Sequence, residues 1–245
     1  MNKKPLSLKL LYSARDLMNR HLFNRLKTYC LGAVLDIGGW DFVSTVLRKG
    51  VTFDSWTILE VEERAVTDFA DRRISLIVGD GCRMNLPDAS YDTVVNVQVL
   101  EHVFDPNSMM REMCRVLKPG GYLIMLIPQT STMHMAPHHY YNFTRFWIEE
   151  SLRRNMMETL EMLPLGGVWS SMASHLLYFV FQSLRFPGMS TGENKRNVLF
   201  YLLYPAMLLF AVAAIPICMV LSLGDLSEEP NNHLVVARKP IISLQ

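Results

Sequence analysis

The sequence lacks most of the short motifs that identify a metal or phosphate site. The cysteines form no close pair and no metal-ligand spacing, and they number four: Cys30, Cys82, Cys114 and Cys218. We therefore predict reduced thiols in a cytosolic compartment, with Cys114 on a helix face and the other three in the core. No Gly-Lys-Ser/Thr run is present, which excludes a P-loop. Lys and Arg (24) nearly balance Asp and Glu (23), so no nucleic-acid partner is expected.

Strand-like and helix-like patterns alternate between residues 33 and 128, which predicts a mostly parallel, doubly wound α/β sheet covered by helices. The 245-residue chain is half apolar, enough for one substantial core. The predicted strands are Ala33–Ile37, Thr57–Val61, Ser75–Val78, Thr93–Val97 and Tyr122–Ile127, with a last strand in Asn232–Pro240. Asp105 and Pro106 should begin one helix that "KPGG" (Lys118–Gly121) stops, and Thr144 should cap another that reaches Met156.

The N-terminal segment, residues 1–29, is predicted to be a basic amphipathic helix. The segment from Lys3 to Lys27 contains seven Lys or Arg residues and a single acidic residue, Asp16. Leucines recur in it at near-helical spacing. Two interpretations are open: the helix packs on the domain with a solvated basic face, or it contacts a membrane surface.

A long apolar segment, residues 168–230, is inserted before the last predicted strand of the α/β domain, which we assign to residues 30–167 and 231–245. Residues 198–223 carry no charge, and 26 helical residues would span about 39 Å, more than the roughly 30 Å of bilayer hydrocarbon. Pro205, Pro216 and the return to a last strand argue against a single crossing. A hairpin, helices lying in the membrane interface, and helices buried on the domain or in an oligomer are all compatible with this pattern.

Polar residues end four of the predicted strands. In an open parallel sheet, ligands bind beyond the carboxyl ends of the strands. The residues concerned are Asp36–Gly39, Glu60, Asp80 with Gly81, and Asn96–His102. An acid at Glu60 can accept hydrogen bonds from ribose hydroxyls, and one at Asp80 from an adenine amine. "GGWDFV" does not supply the Gly-x-Gly-x-x-Gly approach that a dinucleotide pyrophosphate needs, so a nucleoside cofactor without phosphates fits better.

The stretch from Gly79 to Pro128 resembles the class I S-adenosylmethionine-dependent methyltransferases, in the small bacterial methyltransferase-11-like branch. The blocks "LPDASYD", "VLEHVFDP" and "RVLKPGG" occur in that family's order and spacing, and "HMAPHHYYNFTRFWIEESL" is similar to its His-rich segment. The resemblance implies a Rossmann-like fold and S-adenosyl-L-methionine as cofactor. It assigns the methionine moiety to Asp36, Gly38 and Gly39, the ribose to Glu60, the adenine to Asp80 and Gly81, and the border of the methyl-donor pocket to Asn96 and Gln98. The chain departs from the family at Trp40, where glycine is usual.

Methyl transfer from a sulfonium requires an oriented acceptor and, for a hydroxyl or ammonium, a proton acceptor. His102 and His138 are the candidate bases, although His102 can equally be a residue that only fixes its loop. We predict that His134, Tyr140, Tyr141 and Arg145 hold the substrate, with loop packing as the alternative. No metal site is predicted, because neither a Cys nor a well-placed carboxylate completes the His134 and His138 spacing.

These features predict a methyltransferase for a small-molecule or lipid- or saccharide-linked acceptor. We expect it in the cytoplasm, peripheral on the inner face of the membrane, and an oligomer is possible. The alternative is a catalytically silent methyltransferase-like module that binds at a membrane or in a complex, because the glycine loop is altered.

Overall fold

A computed structural model describes residues 20–62, 69, 71–185 and 196–241 of the chain. The strands are β1 Ala33–Ile37, β2 Ser55–Glu60, β3 Ile74–Val78, β4 Tyr91–Val97, β5 Leu117–Pro128, β6 Glu158–Leu165 and β7 Asn232–Arg238. The helices are α1 Arg20–Tyr29, α2 Phe42–Arg48, α3 Pro106–Val116, α4 Arg145–Arg154, α5 Val168–Ser183 and α6 Val198–Leu221, with short 3-10 turns at Leu100–His102 and Ser222–Gly224. The first 19 residues of the predicted basic helix lie outside the described residues.

The seven strands form one sheet in the order β3-β2-β1-β4-β5-β7-β6. The first five positions are parallel, and β7 runs antiparallel between β5 and β6. Chain order reverses between β1 and β4, which is the switch point where open α/β sheets bind ligands. The predicted Rossmann-like, mostly parallel fold with an apolar helical segment before its last strand is confirmed.

Helices bury both faces of the sheet. Leu35 and Leu123 face a cluster with α3 and α4, whereas the alternate positions Val34 and Ile124 face a cluster with α1 and α2. This period-2 alternation between two apolar layers explains why the central strands read as continuous hydrophobic runs.

Two predicted helix caps are present. Asp105 accepts a hydrogen bond from the Ser108 amide at 3.0 Å at the start of α3, and Thr144 accepts from the Trp147 amide at 3.5 Å at the start of α4. Each satisfies an amide that has no partner within its own helix.

Three local predictions need correction. "KPGG" lies within β5, which begins at Leu117 rather than Tyr122, because Leu117 pairs with Tyr91 and the residues after it bulge opposite Asp92. Helix α4 ends at Arg154, before Met156, which adopts a positive φ of 55°. Cys82 is partly exposed rather than in the core, since it lies in the loop after β3.

Helices α5 and α6 pack against each other, and α5 lies along the sheet domain. Near its start, Ser171 hydrogen-bonds the Thr130 hydroxyl at 2.8 Å, and near its end the Gln182 amide donates to the Met133 carbonyl at 3.3 Å. Asp225, just after α6, accepts from the Trp169 and Ser170 amides at 2.8 and 2.9 Å and so caps α5. The start of α5 and the residue that follows α6 are therefore held together, next to Thr130 of the sheet domain.

Helix α6 leaves most of its apolar surface uncovered. Among the described residues, one helix, over Val198–Gly224, is long and apolar enough to cross a membrane, with a mean hydropathy of 2.6 and 11% of its most apolar stretch buried. Leu202 and Leu209 are 72% and 73% exposed. Exposed apolar surface on this scale is typical of a face that contacts lipid or another protein.

Candidate active site

The glycine pair at the end of β1 makes room for the carboxylate of Asp36. Gly38 has a φ of +68°, which glycine adopts without strain, and its amide donates to the Leu59 carbonyl at 2.9 Å. A Cβ atom at Gly39 would collide with the Asp36 carboxylate. The pair therefore has a structural role in addition to the ligand-binding role predicted from the sequence.

Asp36 is fully buried and only partly satisfied. The Trp56 indole N–H donates to its Oδ2 at 3.1 Å, whereas Oδ1 has no hydrogen-bond partner within the described part of the chain. Burial raises the pKa of Asp36 to about 7; the Trp56 hydrogen bond opposes this rise and the nearby Glu60 carboxylate adds to it. A buried acceptor without a donor is a position where a ligand can bind.

Glu60 closes the loop that follows β1. The amide of Trp40 donates to Glu60 Oε1 at 2.8 Å, and Trp40 has a φ of +43°. A left-handed conformation costs a bulky residue free energy that glycine does not pay. The Trp40 side chain is 48% exposed, so the indole lies at the rim of the loop.

The remaining predicted cofactor residues follow β3 and β4. Asp80 is exposed and accepts from the Cys82 amide at 2.8 Å, and Gly81 is buried next to it. Asn96 is fully buried beside β1, in register with Ile37, and its Oδ1 has no partner among the described residues. Gln98 is exposed, and its amide donates to Asn232 Oδ1 at 3.2 Å, so this side chain is directed at β7.

A histidine cluster lies after β4, where the loop following β5 folds back onto the Leu100–His102 turn. The Tyr140 amide donates to the Glu101 carbonyl at 2.8 Å, and the His102 ring packs edge-on against His134 and His139, with ring centroids 4.8 and 5.6 Å away. Burial lowers the pKa of His102, although its bond to the His138 carbonyl opposes the shift. Burial also lowers the pKa of His139. Neutral imidazoles at neutral pH can accept protons.

The predicted substrate residues divide between this cluster and its rim. His134 belongs to the cluster, whereas Tyr140, Tyr141 and Arg145 are exposed. The Tyr141 hydroxyl donates to the Phe104 carbonyl at 3.1 Å, and the Arg145 guanidinium lies over the Phe146 ring at 4.8 Å. The exposed His138 ring is within 3.1 Å of the Tyr140 hydroxyl.

Sequence comparison identifies a methyltransferase domain. The family model described as "Methyltransferase domain" matches residues 42–125. A "Probable S-adenosylmethionine-dependent methyltransferase" of Mycolicibacterium smegmatis is 34% identical over 119 residues, 45% of this chain and 44% of the relative. "Methyltransferase GfsG" of Streptomyces halstedii is 30% identical over 127 residues, 49% of this chain and 46% of the relative. The chain thus spans less than half the length of either relative.

Two solved structures share the fold. The 1,6-didemethyltoxoflavin-N1-methyltransferase of Burkholderia thailandensis, solved with S-adenosylhomocysteine, has a TM-score of 0.55, 12% identity, and covers 94% of this chain and 83% of its own. The [4+2]-cyclase SpnF has a TM-score of 0.56, 19% identity, and covers 91% and 81%. Residues 42–125 therefore match a methyltransferase domain, and the chain shares its fold with a solved methyltransferase.

The turn after β4 contains a site feature that the sequence did not predict. Glu101 is 1% exposed, and burial raises its pKa to about 7. It lies beside His102 and His134, where we predicted that no carboxylate would be well placed. The "EH" pair, Glu101 and His102 in the turn after β4, is visible in the sequence. The approach of His134 to this pair depends on the path of a loop, which sequence periodicity does not predict.

Proposed function

We propose that the protein transfers the methyl group of S-adenosylmethionine to a lipid-linked acceptor at a membrane surface. The observation that carries the proposal is a pair of buried acceptors at the switch point, Asp36 Oδ1 and Asn96 Oδ1, which have no hydrogen-bond partner among the residues that the structure describes. Adjacent strands place both residues at the carboxyl edge of the sheet, where a class I domain binds its cofactor.

The cofactor supplies an already activated methyl group, so the protein's task is to bind and orient. We assign the methionine moiety to Asp36, Gly38 and Gly39, the ribose to Glu60, the adenine to Asp80 with Gly81, and the methyl side to Asn96 and Gln98. The buried Asp36 carboxylate supports this assignment, since an ammonium group would supply the donor that its Oδ1 lacks.

Removal of a proton from the acceptor is assigned to His102 or His138. The His102 Nδ1 donates to the His138 carbonyl at 2.5 Å, which leaves its Nε2 as a proton acceptor. His138 is exposed on the returning loop. Tyr140 and Tyr141 on this loop, and Arg145 at the start of α4, provide aromatic and cationic groups for an acceptor.

The membrane part of the proposal rests on the position of helix α6. Helix α5 is hydrogen-bonded to Thr130 and Met133 of the loop after β5, and α6 packs against α5. This geometry favours a helix pair that lies in the membrane interface over one that crosses the bilayer. Arg196, two residues before α6, donates to the Gln182 carbonyl at 3.0 Å, and in this orientation of the helix pair it would lie near lipid head groups. The protein is then cytoplasmic and peripheral.

Cofactor binding and turnover test the catalytic half. Titration calorimetry of the full chain should show S-adenosylmethionine binding that Glu60→Ala and Asp36→Ala weaken, and incubation with a lipid extract should release S-adenosylhomocysteine. Absence of binding would overturn the assignment. Tight binding without turnover would favour the silent module, and the [4+2]-cyclase shows that this fold is not restricted to one chemistry.

Vesicle flotation tests the membrane half. The full chain should float with vesicles that contain anionic lipid. Leu209→Asp with Phe210→Asp, which place two charges on the exposed face of α6, should abolish flotation, while the matched Leu209→Ala with Phe210→Ala should weaken it only in part. Equal flotation of both double variants would contradict an interfacial helix.

A further inference from the structure

Three side chains from two separate loops converge at the carboxyl edge of β4. One ligand-type atom from each of Glu101, His102 and His134 lies within 4.8 Å of the other two. Glu101 and His102 belong to the turn after β4, and His134 arrives on the loop after β5. Hydrogen bonds from the Tyr140 amide to the Glu101 carbonyl and from His102 to the His138 carbonyl hold the two loops together.

The hydrogen bonds of both imidazoles fix which nitrogen carries the proton. His102 Nδ1 faces the His138 carbonyl at 2.5 Å, and His134 Nδ1 faces the Thr132 carbonyl at 2.9 Å. A carbonyl oxygen only accepts, so each Nδ1 is the protonated nitrogen and each Nε2 carries a lone pair. This is the arrangement typical of metal-binding histidines, whose second nitrogen donates to a backbone carbonyl.

His139 does not share this arrangement. Its Nδ1 accepts from the His134 amide at 3.2 Å, and its Nε2 lies 3.4 Å from the Ser131 hydroxyl. Both nitrogens of His139 are thus directed at the protein, and the ring packs against His134 as a wall of the cluster.

Glu101 provides the independent observation. The side chain is 1% exposed, and neither carboxylate oxygen has a hydrogen-bond partner within the described residues. The titratable group that it faces is the imidazole of His102, whose Nε2 is 3.8 Å from Oε1, too far for a hydrogen bond. Two lone-pair groups are therefore buried face to face, an arrangement that either a proton on Glu101 or a cation between the two groups relieves.

We propose that Glu101, His102 and His134 bind one divalent transition-metal ion. Two imidazole nitrogens and one carboxylate form a ligand set that suits Zn²⁺ and its neighbours and is too poor in oxygen for Ca²⁺. Ligands at about 2.1 Å in a tetrahedron lie roughly 3.4 Å apart, so small side-chain rotations complete the site. Three protein ligands leave a position open for water or an acceptor oxygen. His102 would then be a ligand, and the role of base would pass to His138.

Zinc binding by the tag-free full chain tests the proposal without reference to methyl transfer. After treatment with a chelator, the wild-type protein should bind one equivalent of Zn²⁺ with low-micromolar or tighter affinity, and Co²⁺ should give the visible absorption of a nitrogen- and oxygen-ligated ion. Glu101→Gln, which keeps the shape of the buried side chain, should weaken Zn²⁺ binding at least about 100-fold. His134→Ala, a loop substitution that leaves the core intact, should do the same.

His175→Ala is the matched control. Its Nδ1 also donates to a backbone carbonyl, that of Ser171 at 2.8 Å, but it lies on α5 outside the cluster. Zn²⁺ binding should be unchanged in this variant. Failure of the wild-type chain to bind Zn²⁺ would overturn the proposal and leave a proton on Glu101. Equal binding by wild type, Glu101→Gln and His134→Ala would also overturn it, since the ion would then be adventitious.

Discussion

Replacing the buried carboxylate of Asp36 with an amide should stabilise the protein in a pH-dependent way. The pKa of Asp36 is raised from 3.8 to about 7 by burial, with Trp56 donating to it and Glu60 and Cys30 nearby. The folded state therefore keeps this proton while the unfolded state loses it, so the stability present below pH 3.8 is lost as the pH rises to about 7. At ~1.4 kcal/mol per pKa unit, the cost is about 2 kcal/mol at pH 5 and about 4 kcal/mol at pH 8.

Asp36→Asn removes this cost while its side-chain oxygen can still accept from the Trp56 indole. Relative to wild type, its free energy of unfolding should therefore improve by about 2 to 3 kcal/mol more at pH 8 than at pH 5, or roughly 5–10 °C in Tm. Thermal melts of the cofactor-free protein at both pH values measure the difference. Asp80→Asn, an exposed aspartate at the end of β3, controls for surface charge. A stability difference independent of pH would refute the reasoning.

Three further substitutions test the loop geometry. Trp40→Gly removes the backbone strain of a non-glycine residue at positive φ, which should stabilise the fold by about 1–2 kcal/mol. The variant should retain its affinity for S-adenosylmethionine in calorimetry, and a loss of affinity above about tenfold would mean that the indole lines the pocket. Gly39→Ala forces its new Cβ into Asp36 and should lower both Tm and cofactor affinity, whereas Gly224→Ala, where no atom lies within 4 Å, should change neither. Arg115→Leu removes hydrogen bonds to the Met84 and Leu86 carbonyls and should cost about 2 kcal/mol in chemical denaturation; a value no larger than that of a surface arginine would contradict this.

The sequence predicted the sheet well because each strand is short, apolar and followed by a polar turn. It placed Asp36, Glu60 and Asn96 at one edge because parallel strands align their carboxyl ends, and the register of Ile37 with Asn96 agrees. It missed the extension of β5 to Leu117. The residues of "KPGG" form a bulge within the strand, whereas proline and glycine at this position predict only the end of the preceding helix.

The site predictions divide along similar lines. Residues at strand ends could be placed by topology, whereas the partner of His134 could not, because the loop from β5 folds back through specific hydrogen bonds to Glu101 and His102. Trp40 was recognised as unusual from sequence, but its positive φ depends on the Glu60 carboxylate that accepts from its amide.

The position of β7 has a consequence for biosynthesis. β6 pairs only with β7 in the described sheet, and β7 follows it in the chain by more than 60 residues that include both apolar helices. During synthesis, β5 and β6 therefore remain separate until the final strand leaves the ribosome and enters the gap between them. The apolar helices emerge before that moment, so their apolar faces are exposed while the sheet is still incomplete, a stage at which aggregation is favoured.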